Sequence, residues 1–104
     1  MDMVKKVKSK AKTQKRKSKL LQKVPAEYVF WCHDGSVFSD VSELAAGLLN
    51  MTDEIYAYHC NLEKQDFSNW IRDVVGDEAL ANELVKAASR LQAAECVSVR
   101  IREL

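Results

Sequence analysis

The chain has 104 residues, 47% of them hydrophobic and 30% charged, which is the size and composition of one small globular domain. These values exclude a large multidomain enzyme and a fibrous protein. Sixteen basic and fifteen acidic side chains give a net charge of only +1, but the two signs are segregated along the chain. Residues 1–23 carry a net charge of +9 and residues 24–104 a net charge of −8. The sequence therefore predicts a basic Lys-rich arm over residues 1–23 and an acidic, mainly helical globular domain over residues 24–104.

The basic arm has too few apolar residues to bury a face, so we expect it to be disordered and flexible when free. Lysines act as point charges toward phosphate and do not read base edges, so the arm is predicted to bind the backbone of DNA or RNA without sequence preference. Three alternatives stay open: a solubilising tail, an arm that folds back on the acidic domain, and an arm that binds an acidic protein or membrane surface. The predicted nucleic-acid-binding residues are Lys5, Lys6, Lys8, Lys10, Lys12, Lys15, Arg16, Lys17, Lys19 and Lys23.

The cysteine pattern and the absence of targeting signals bear on location. Cys32, Cys60 and Cys96 form no CxxC pair, and neither a signal peptide nor an apolar run of membrane-spanning length is found. We therefore expect a cytoplasmic protein with reduced thiols and no membrane partner. Because a domain of this size leaves little wall for a substrate pocket, we expect no enzymatic activity, no small-molecule substrate and no cofactor.

The first element after the arm is predicted to be a β-hairpin. Val24-Pro25 marks the boundary, because proline stops any helix that arrives from the arm. Residues 28–32 are rich in β-branched and aromatic residues, and residues 36–38 provide a second short strand. Asp34-Gly35 between them suits the positive backbone angles of a tight turn.

Capping residues predict a series of helices after the hairpin. Asp40 and Glu43 form a capping box for a helix that ends near Asn50, and Thr52 caps a second helix. A third is predicted from Asp66 to Val75 with Gly76 as its C-terminal cap, and a fourth begins at Asp77. The apolar positions of these helices are Val41, Leu44, Ala45, Leu48, Leu49, then Phe67, Trp70, Ile71, Val74, then Leu80, Ala81, Leu84, Val85 and Ala88.

The last segment allows two interpretations. Ser89 can cap a helix that uses Leu91, Ala94, Val97, Ile101 and Leu104, but alternation over residues 97–102 also fits a strand beside the hairpin. The predicted fold is mainly α (α+β): a short N-terminal β-hairpin packed on a small bundle of four to five helices.

Two Cys-His pairs raise the question of metal or nucleophile chemistry. Cys32-His33 and His59-Cys60 lack the gap of two to four residues that lets a turn wrap a zinc ion, so no metal site is expected. A Cys-His nucleophile is disfavoured because nothing in the sequence indicates an oxyanion hole.

The polar segment that follows His59 favours a structural role. We expect Asn61 to close the preceding helix, Asp66 or Ser68 to cap the next, and His59 to bridge the loop by hydrogen bonds. A ligand site made from the same groups is the alternative.

Trp31 and Trp70 are predicted to lie in the core, because each occurs where a core needs bulk. Stacking on nucleic-acid bases is the alternative for both.

Several strings resemble a known family. They are Tyr-His-Cys-Asn (58–61), Asp-Phe-Ser-Asn-Trp-Ile-Arg-Asp-Val (66–74) and Gly-Asp-Glu-Ala-Leu-Ala (76–81). The chain resembles a family of small, mostly archaeal domains of unknown function with a Tyr-His-Val-Asn, Asn-Asp-Phe-Ala/Ser-Asn-Trp-Val/Ile, Gly-Asp-Glu-Leu-Ala signature. It departs from that signature at Cys60 and Gln65. The resemblance implies a small helical domain, often behind a Lys-rich start, in an archaeal-type cytosol, and it implies no particular activity.

Three classes of function follow. The first is a non-enzymatic, nucleic-acid-associated protein of chromatin or the ribosome, whose body serves protein interaction or self-association. The second is a protein-interaction module with an incidental basic tail. The third is a small metal-binding or enzymatic domain around His59. The sequence does not choose between DNA and RNA, and it does not give the oligomeric state or the partner of the acidic body.

Overall fold

The computed structural model describes residues 22–103. These residues form a two-stranded hairpin followed by helices, so the predicted mainly α (α+β) fold is confirmed. Residues 1–21 of the arm, for which disorder was predicted, lie outside the described range. The elements are a 3₁₀ turn Ala26–Tyr28, β1 Phe30–Trp31, β2 Val37–Phe38, α1 Val41–Asn50, α2 Asp53–His59, α3 Asp66–Trp70 with a π-helical turn Ile71–Val75, α4 Glu78–Lys86 and α5 Arg90–Arg102.

The hairpin is closed by a three-residue loop. Strands β1 and β2 are antiparallel, and Phe30 pairs with Phe38 across the ladder. Gly35 has φ 94°, while Asp34 keeps a negative φ, so only the glycine of the predicted Asp-Gly turn takes the left-handed conformation. The Asp34 carboxylate accepts the Ser36 N–H at 2.9 Å. This is a type I turn completed by a left-handed glycine, a common three-residue connection.

Four helices begin at the cap residue expected from the sequence. In each, the side-chain oxygen accepts the N–H of the residue three positions later, which satisfies one free donor of the first turn. The pairs are Asp40 with Glu43 (2.8 Å), Thr52 with Ile55 (3.2 Å), Asp77 with Leu80 (3.1 Å) and Ser89 with Gln92 (3.1 Å).

Helix α3 has the predicted extent but not the predicted cap. Gln65 occupies the N-cap position and makes no side-chain cap bond, so the assignment of Asp66 or Ser68 to that role was wrong. Both side chains have partners elsewhere: Asp66 binds His59, and the Ser68 hydroxyl donates to the carbonyl of Ala81 at 2.7 Å. Gly76 ends the π-helical turn with φ 87°, as predicted.

The core lies between the hairpin and the helices. It takes one apolar stripe from each of the longer helices, and the predicted stripes are wrong only at their edges, where Leu49, Val85, Ala88 and Leu91 are exposed. Leu49, Val85 and Leu91 lie at the sides of their helices, beyond the reach of the packed neighbour, whereas Ala88 follows the end of α4 at Lys86. The fully buried members of the core include Val41, Leu44, Leu48, Ile71, Leu80 and Val97.

Helices α1 and α5 pack side by side and in opposite directions. Arg90, the first residue of α5, donates from Nη1 to the carbonyls of Leu48 (2.8 Å) and Leu49 (3.1 Å) at the end of α1. The two helices contact each other along their length, so the last turn of α5 lies near the first turn of α1. Residues 97–102 belong to this helix, and the strand alternative for them was wrong.

Candidate functional site

The basic arm joins the body through Lys23. Its ammonium group contacts Asp40 Oδ2 at 3.0 Å and Glu43 Oε2 at 2.9 Å, and the adjacent Val24 N–H donates to the carbonyl of Ser39 at 2.8 Å. These hydrogen bonds raise the pKa of Lys23, and the Lys23 ammonium lowers the pKa of Glu43. Lys23, one of the ten residues predicted to bind phosphate, is therefore held by two carboxylates of the body. The other nine, from Lys5 to Lys19, lie outside the described residues.

Trp31 lies on the surface, so its predicted place in the core was wrong. It is 69% exposed, because successive side chains of a strand point to opposite faces and Phe30 and Cys32 take the buried face. Its cross-strand neighbour Val37 is also exposed, so the outer face of the hairpin carries an apolar pair. Trp70 is buried as predicted, and its indole N–H donates to the carbonyl of Tyr28 at 2.7 Å.

His59 bridges the polar loop, as predicted from the sequence. Its Nε2 accepts the backbone N–H of His33 at 2.9 Å, and its Nδ1 lies 2.9 Å from Asp66 Oδ2. Because Nε2 is an acceptor, the proton of the neutral ring belongs on Nδ1, which donates to the carboxylate. Both ring nitrogens of this buried residue are therefore engaged within the protein, and neither is left for a substrate or a metal ion.

The surroundings of His59 are partly aromatic and partly polar. Its ring packs against Phe30 and Phe67 at centroid distances of 5.1 and 5.2 Å. On the outer side, His33 stacks on Tyr58 at 3.9 Å, and the Lys64 ammonium lies 3.9 Å from the centre of the same ring. These contacts fix the loop as a structural unit.

Asn61 closes helix α2, as expected from the sequence. Its Nδ2 donates to the carbonyl of Ala57 at 2.8 Å, and its Oδ1 accepts the backbone N–H groups of Glu63 (2.8 Å) and Lys64 (3.0 Å). One side chain thus ends the helix and turns the loop.

The three cysteines are free thiols. Burial raises the pKa of Cys32 and of Cys96, which disfavours the thiolate that nucleophilic chemistry requires. In the part of the chain covered by the structure, no group of three or more His, Cys, Asp or Glu side chains could hold a metal ion. None of the helices within residues 22–103 combines the length and apolar character needed to cross a membrane.

A groove between α4 and α5, the α4–α5 groove, was not predicted. It has a volume of about 460 Å³, with Leu80, Cys96 and Val99 at its base and Glu83, Glu95 and Glu103 among its outer residues. The pattern that could have revealed it is the spacing of Glu95, Val99 and Glu103 by four residues, which places them on one face of a helix.

A second, more open hollow lies between β2 and α1 and has a volume of about 590 Å³. Its two acidic residues are engaged in short-range contacts: Asp34 accepts from Ser36, and Glu43 binds Lys23 and the Ser39 N–H. The Lys23 ammonium therefore already neutralises Glu43, one of the two carboxylates of this hollow.

No protein-family model, curated protein or solved structure matches this chain. The resemblance to the archaeal domain family, and the habitat that it implies, therefore stay predictions.

Proposed function

We propose that this protein is a non-enzymatic nucleic-acid-binding protein whose Lys-rich arm binds the phosphate backbone. The observation that carries the proposal is the separation of charge: ten basic side chains and one acidic side chain within residues 1–23, against six basic and fourteen acidic ones in the rest of the chain. A segment of that density attracts a polyanion whatever its base sequence.

The charge of the body supports the assignment of phosphate binding to the arm. Residues 22–103 carry seven basic and fourteen acidic side chains, so phosphate is repelled from most of that surface. The bonds of Lys23 to Asp40 and Glu43 give the arm a fixed point of departure at the start of α1. The occupied ring nitrogens of His59 favour a structural over a catalytic role for that residue.

The test is fluorescence anisotropy of the full chain with labelled duplex DNA and with structured RNA. If four or five arm charges contact phosphate, the log–log slope of affinity against salt for the duplex should be about −4. Replacement of Lys5, Lys6, Lys8, Lys10 and Lys12 by Gln should abolish most of the binding at low salt, whereas replacement of the same five by Arg should preserve it. Equal affinity of the Gln variant and the natural chain would refute the role of the arm.

The comparison of the two probes addresses location. Preference for structured RNA together with co-sedimentation with ribosomal subunits would place the protein at the ribosome, and preference for duplex DNA would place it in the nucleoid. Both settings belong to the cytosol that we propose for this chain.

The exposed Trp31–Val37 pair favours a second function, a protein-interaction module. Tryptophan is enriched among the residues that contribute most to binding between proteins, and Trp31 is 69% exposed beside the exposed Val37. Under this alternative, Trp31→Ala abolishes capture of a protein partner from nuclease-treated lysate and leaves nucleic-acid affinity unchanged. Capture that is insensitive to Trp31→Ala, or lost with nuclease, would exclude the pair as the docking surface.

A further inference from the structure

The α4–α5 groove follows α5, and one of its ends lies toward the end of the molecule from which the basic arm departs. Lys23 binds the first turn of α1 through Asp40 and Glu43. Because α1 and α5 are antiparallel, that turn is next to the last turns of α5, which contribute Val99 and Glu103 to the groove. The 21 residues that precede the described range span up to roughly 70 Å when extended, several times the length of about 20 Å expected for α5.

The lining of the groove carries more acidic than basic side chains. Glu83, Glu95 and Glu103 line it, and the guanidinium of the one lining arginine, Arg100, is held by Asp77 at 2.8 and 3.2 Å. Glu95 also makes an exposed ion pair with Arg102 at 3.7 Å, which a lysine of the arm would share or replace. The negative potential is visible at Cys96: burial raises the pKa of its thiol, and Glu83 and Glu95 raise it further.

The basic arm has side chains that complement those of the groove. Val4, Val7 and Ala11 follow the spacing i, i+3, i+7 that lines one side of a helix, and lysines surround them in the sequence. Apolar side chains flanked by ammonium groups complement an apolar base with acidic residues around it. In the hollow between β2 and α1, the carboxylate of Glu43 already binds Lys23 and the Ser39 N–H, which leaves Asp34 as the other acidic residue of the lining.

We propose that the α4–α5 groove is the intramolecular docking site of the chain's own basic arm, which occupies it when no polyanion is present. The occupant is residues 1–21, and the contacts are ion pairs with Glu83, Glu95 and Glu103 over a small apolar base. Nucleic acid and the groove then compete for the same lysines, so the body limits the affinity of the arm for phosphate.

A weak contact is sufficient for this arrangement. A short tether gives the arm an effective concentration of about 1 mM at the groove, so a dissociation constant of about 0.1–0.4 mM leaves the arm undocked only about 10–30% of the time. Exposed ion pairs of this kind are screened at high ionic strength, which makes the docked state sensitive to salt.

The direct test needs no nucleic acid. Amide ¹H–¹⁵N spectra of the full chain are recorded at about 10 mM and about 500 mM NaCl, where the Debye lengths are roughly 30 and 4 Å. We expect salt-dependent shifts at Glu83, Cys96 and Val99. These shifts should be absent from the variant with Gln at Lys5, Lys6, Lys8, Lys10 and Lys12, and present in the Arg variant. Shifts that persist unchanged in the Gln variant, or no shifts in the natural chain, would overturn the proposal.

Dilution distinguishes docking within one chain from docking between two. The shifts should be independent of protein concentration, because the arm and the groove belong to the same molecule. Shifts that grow with concentration, together with faster sedimentation, would show that a second copy supplies the arm and would overturn the intramolecular assignment.

A second readout uses nucleic-acid affinity and a matched control. E83Q/E103Q, which keeps the ion pair of Glu95 with Arg102, should raise low-salt affinity about three- to tenfold, the gain expected if the undocked arm is only about 10–30% populated in the natural chain. The control, E54Q/E63Q, removes the same charge from exposed positions outside the groove and should change affinity less. Equal gains in both variants would contradict docking in the groove. If no variant binds nucleic acid, the proposed function fails, while the spectra still decide on docking.

Discussion

At the scale of single residues, the buried His59 connects three parts of the fold. Its ring joins the backbone of His33 to the carboxylate of Asp66 and packs on two phenylalanines of the core. We expect His59→Ala to lower the free energy of unfolding by about 2–4 kcal/mol, because it leaves a cavity and an unpaired His33 N–H. Urea denaturation of the full chain measures this.

His33→Ala provides the control for this prediction. It removes an exposed ring that stacks on Tyr58 but keeps the backbone N–H that His59 accepts. Its cost should stay below about 1 kcal/mol, because the stacked pair lies at the surface. Similar losses for both variants would show that His59 is not the bridging residue.

The contact of Lys23 with Glu43 makes stability depend on pH. The pKa of Glu43 is lowered from its ordinary 4.5 in the folded chain, first by Lys23 and then by the Ser39 N–H. A carboxyl whose folded pKa is depressed contributes stability that is fully present above pH 4.5 and is lost as the pH falls through the lowered value. Stability should therefore decline on acidification below about pH 4.5.

Lys23→Met tests this dependence. The pKa of Glu43, followed by ¹³C-carboxyl NMR, should rise toward 4.5 without reaching it, because the bond from the Ser39 N–H remains. Lys86→Gln removes an exposed lysine from α4 and should leave the titration of Glu43 unchanged. An unaltered Glu43 titration in Lys23→Met would refute the contact.

At the scale of elements, Gly47 in the middle of α1 departs from the usual preference for alanine. A Cβ at this position would overlap the ring of Phe38, which is buried and 6.0 Å from the ring centre of Phe30. Gly47→Ala should therefore destabilise the protein by about 1–3 kcal/mol, although alanine favours a helix by about 1 kcal/mol over glycine. Thermal denaturation measures the change.

Two further variants separate packing from propensity. Ala46→Gly, at the exposed neighbouring position, should cost about 1 kcal/mol from propensity alone. Phe38→Leu in the Gly47→Ala background should cost less than Phe38→Leu alone, because the smaller side chain relieves the overlap. A more stable Gly47→Ala protein would contradict the close approach of α1 to β2.

The helices also show which features of the fold can be predicted from local sequence. Asp40, Thr52, Asp77 and Ser89 were identified correctly because a cap acts within four residues of itself. The cap of α3 was missed because Asp66 binds His59, a partner provided by tertiary structure. The α4–α5 groove was missed for the same reason, since the packing of two helices decides which acidic residues face each other.

Trp31 shows a second reason why the sequence did not predict every buried position. Its exposure follows from strand alternation once Phe30 is assigned to the core, but bulk and hydrophobicity favoured a buried position. A short strand gives too few residues for alternation to outweigh composition, so its faces were settled only by the observed packing.

At the scale of the whole molecule, Arg90 joins three helices. Its guanidinium donates to the carbonyls of Leu48 and Leu49 at the end of α1 and to Asp53 Oδ1 in α2 at 2.8 Å. Arg90→Met should lower the free energy of unfolding by about 2 kcal/mol and Tm by about 8–16 °C, because two carbonyls lose their donor.

The matched variant is Arg102→Met in the same helix. Arg102 makes one exposed ion pair with Glu95 at 3.7 Å, which contributes less than about 1 kcal/mol. Calorimetry of both variants compares the two sites. A Tm loss at Arg102 as large as that at Arg90 would contradict the joining role of Arg90.

Because one tryptophan is buried and the other is exposed, the intrinsic fluorescence of the chain reports on two different places in the fold. The indole of Trp70 is 7% exposed and hydrogen-bonded, whereas that of Trp31 is 69% exposed. In the folded protein, acrylamide should quench the emission of Trp31 strongly and that of Trp70 weakly. The variants Trp31→Phe and Trp70→Phe allow the two emissions to be measured separately. The red-shifted part of the emission then monitors what reaches the hairpin, and the blue-shifted part monitors whether the core is intact.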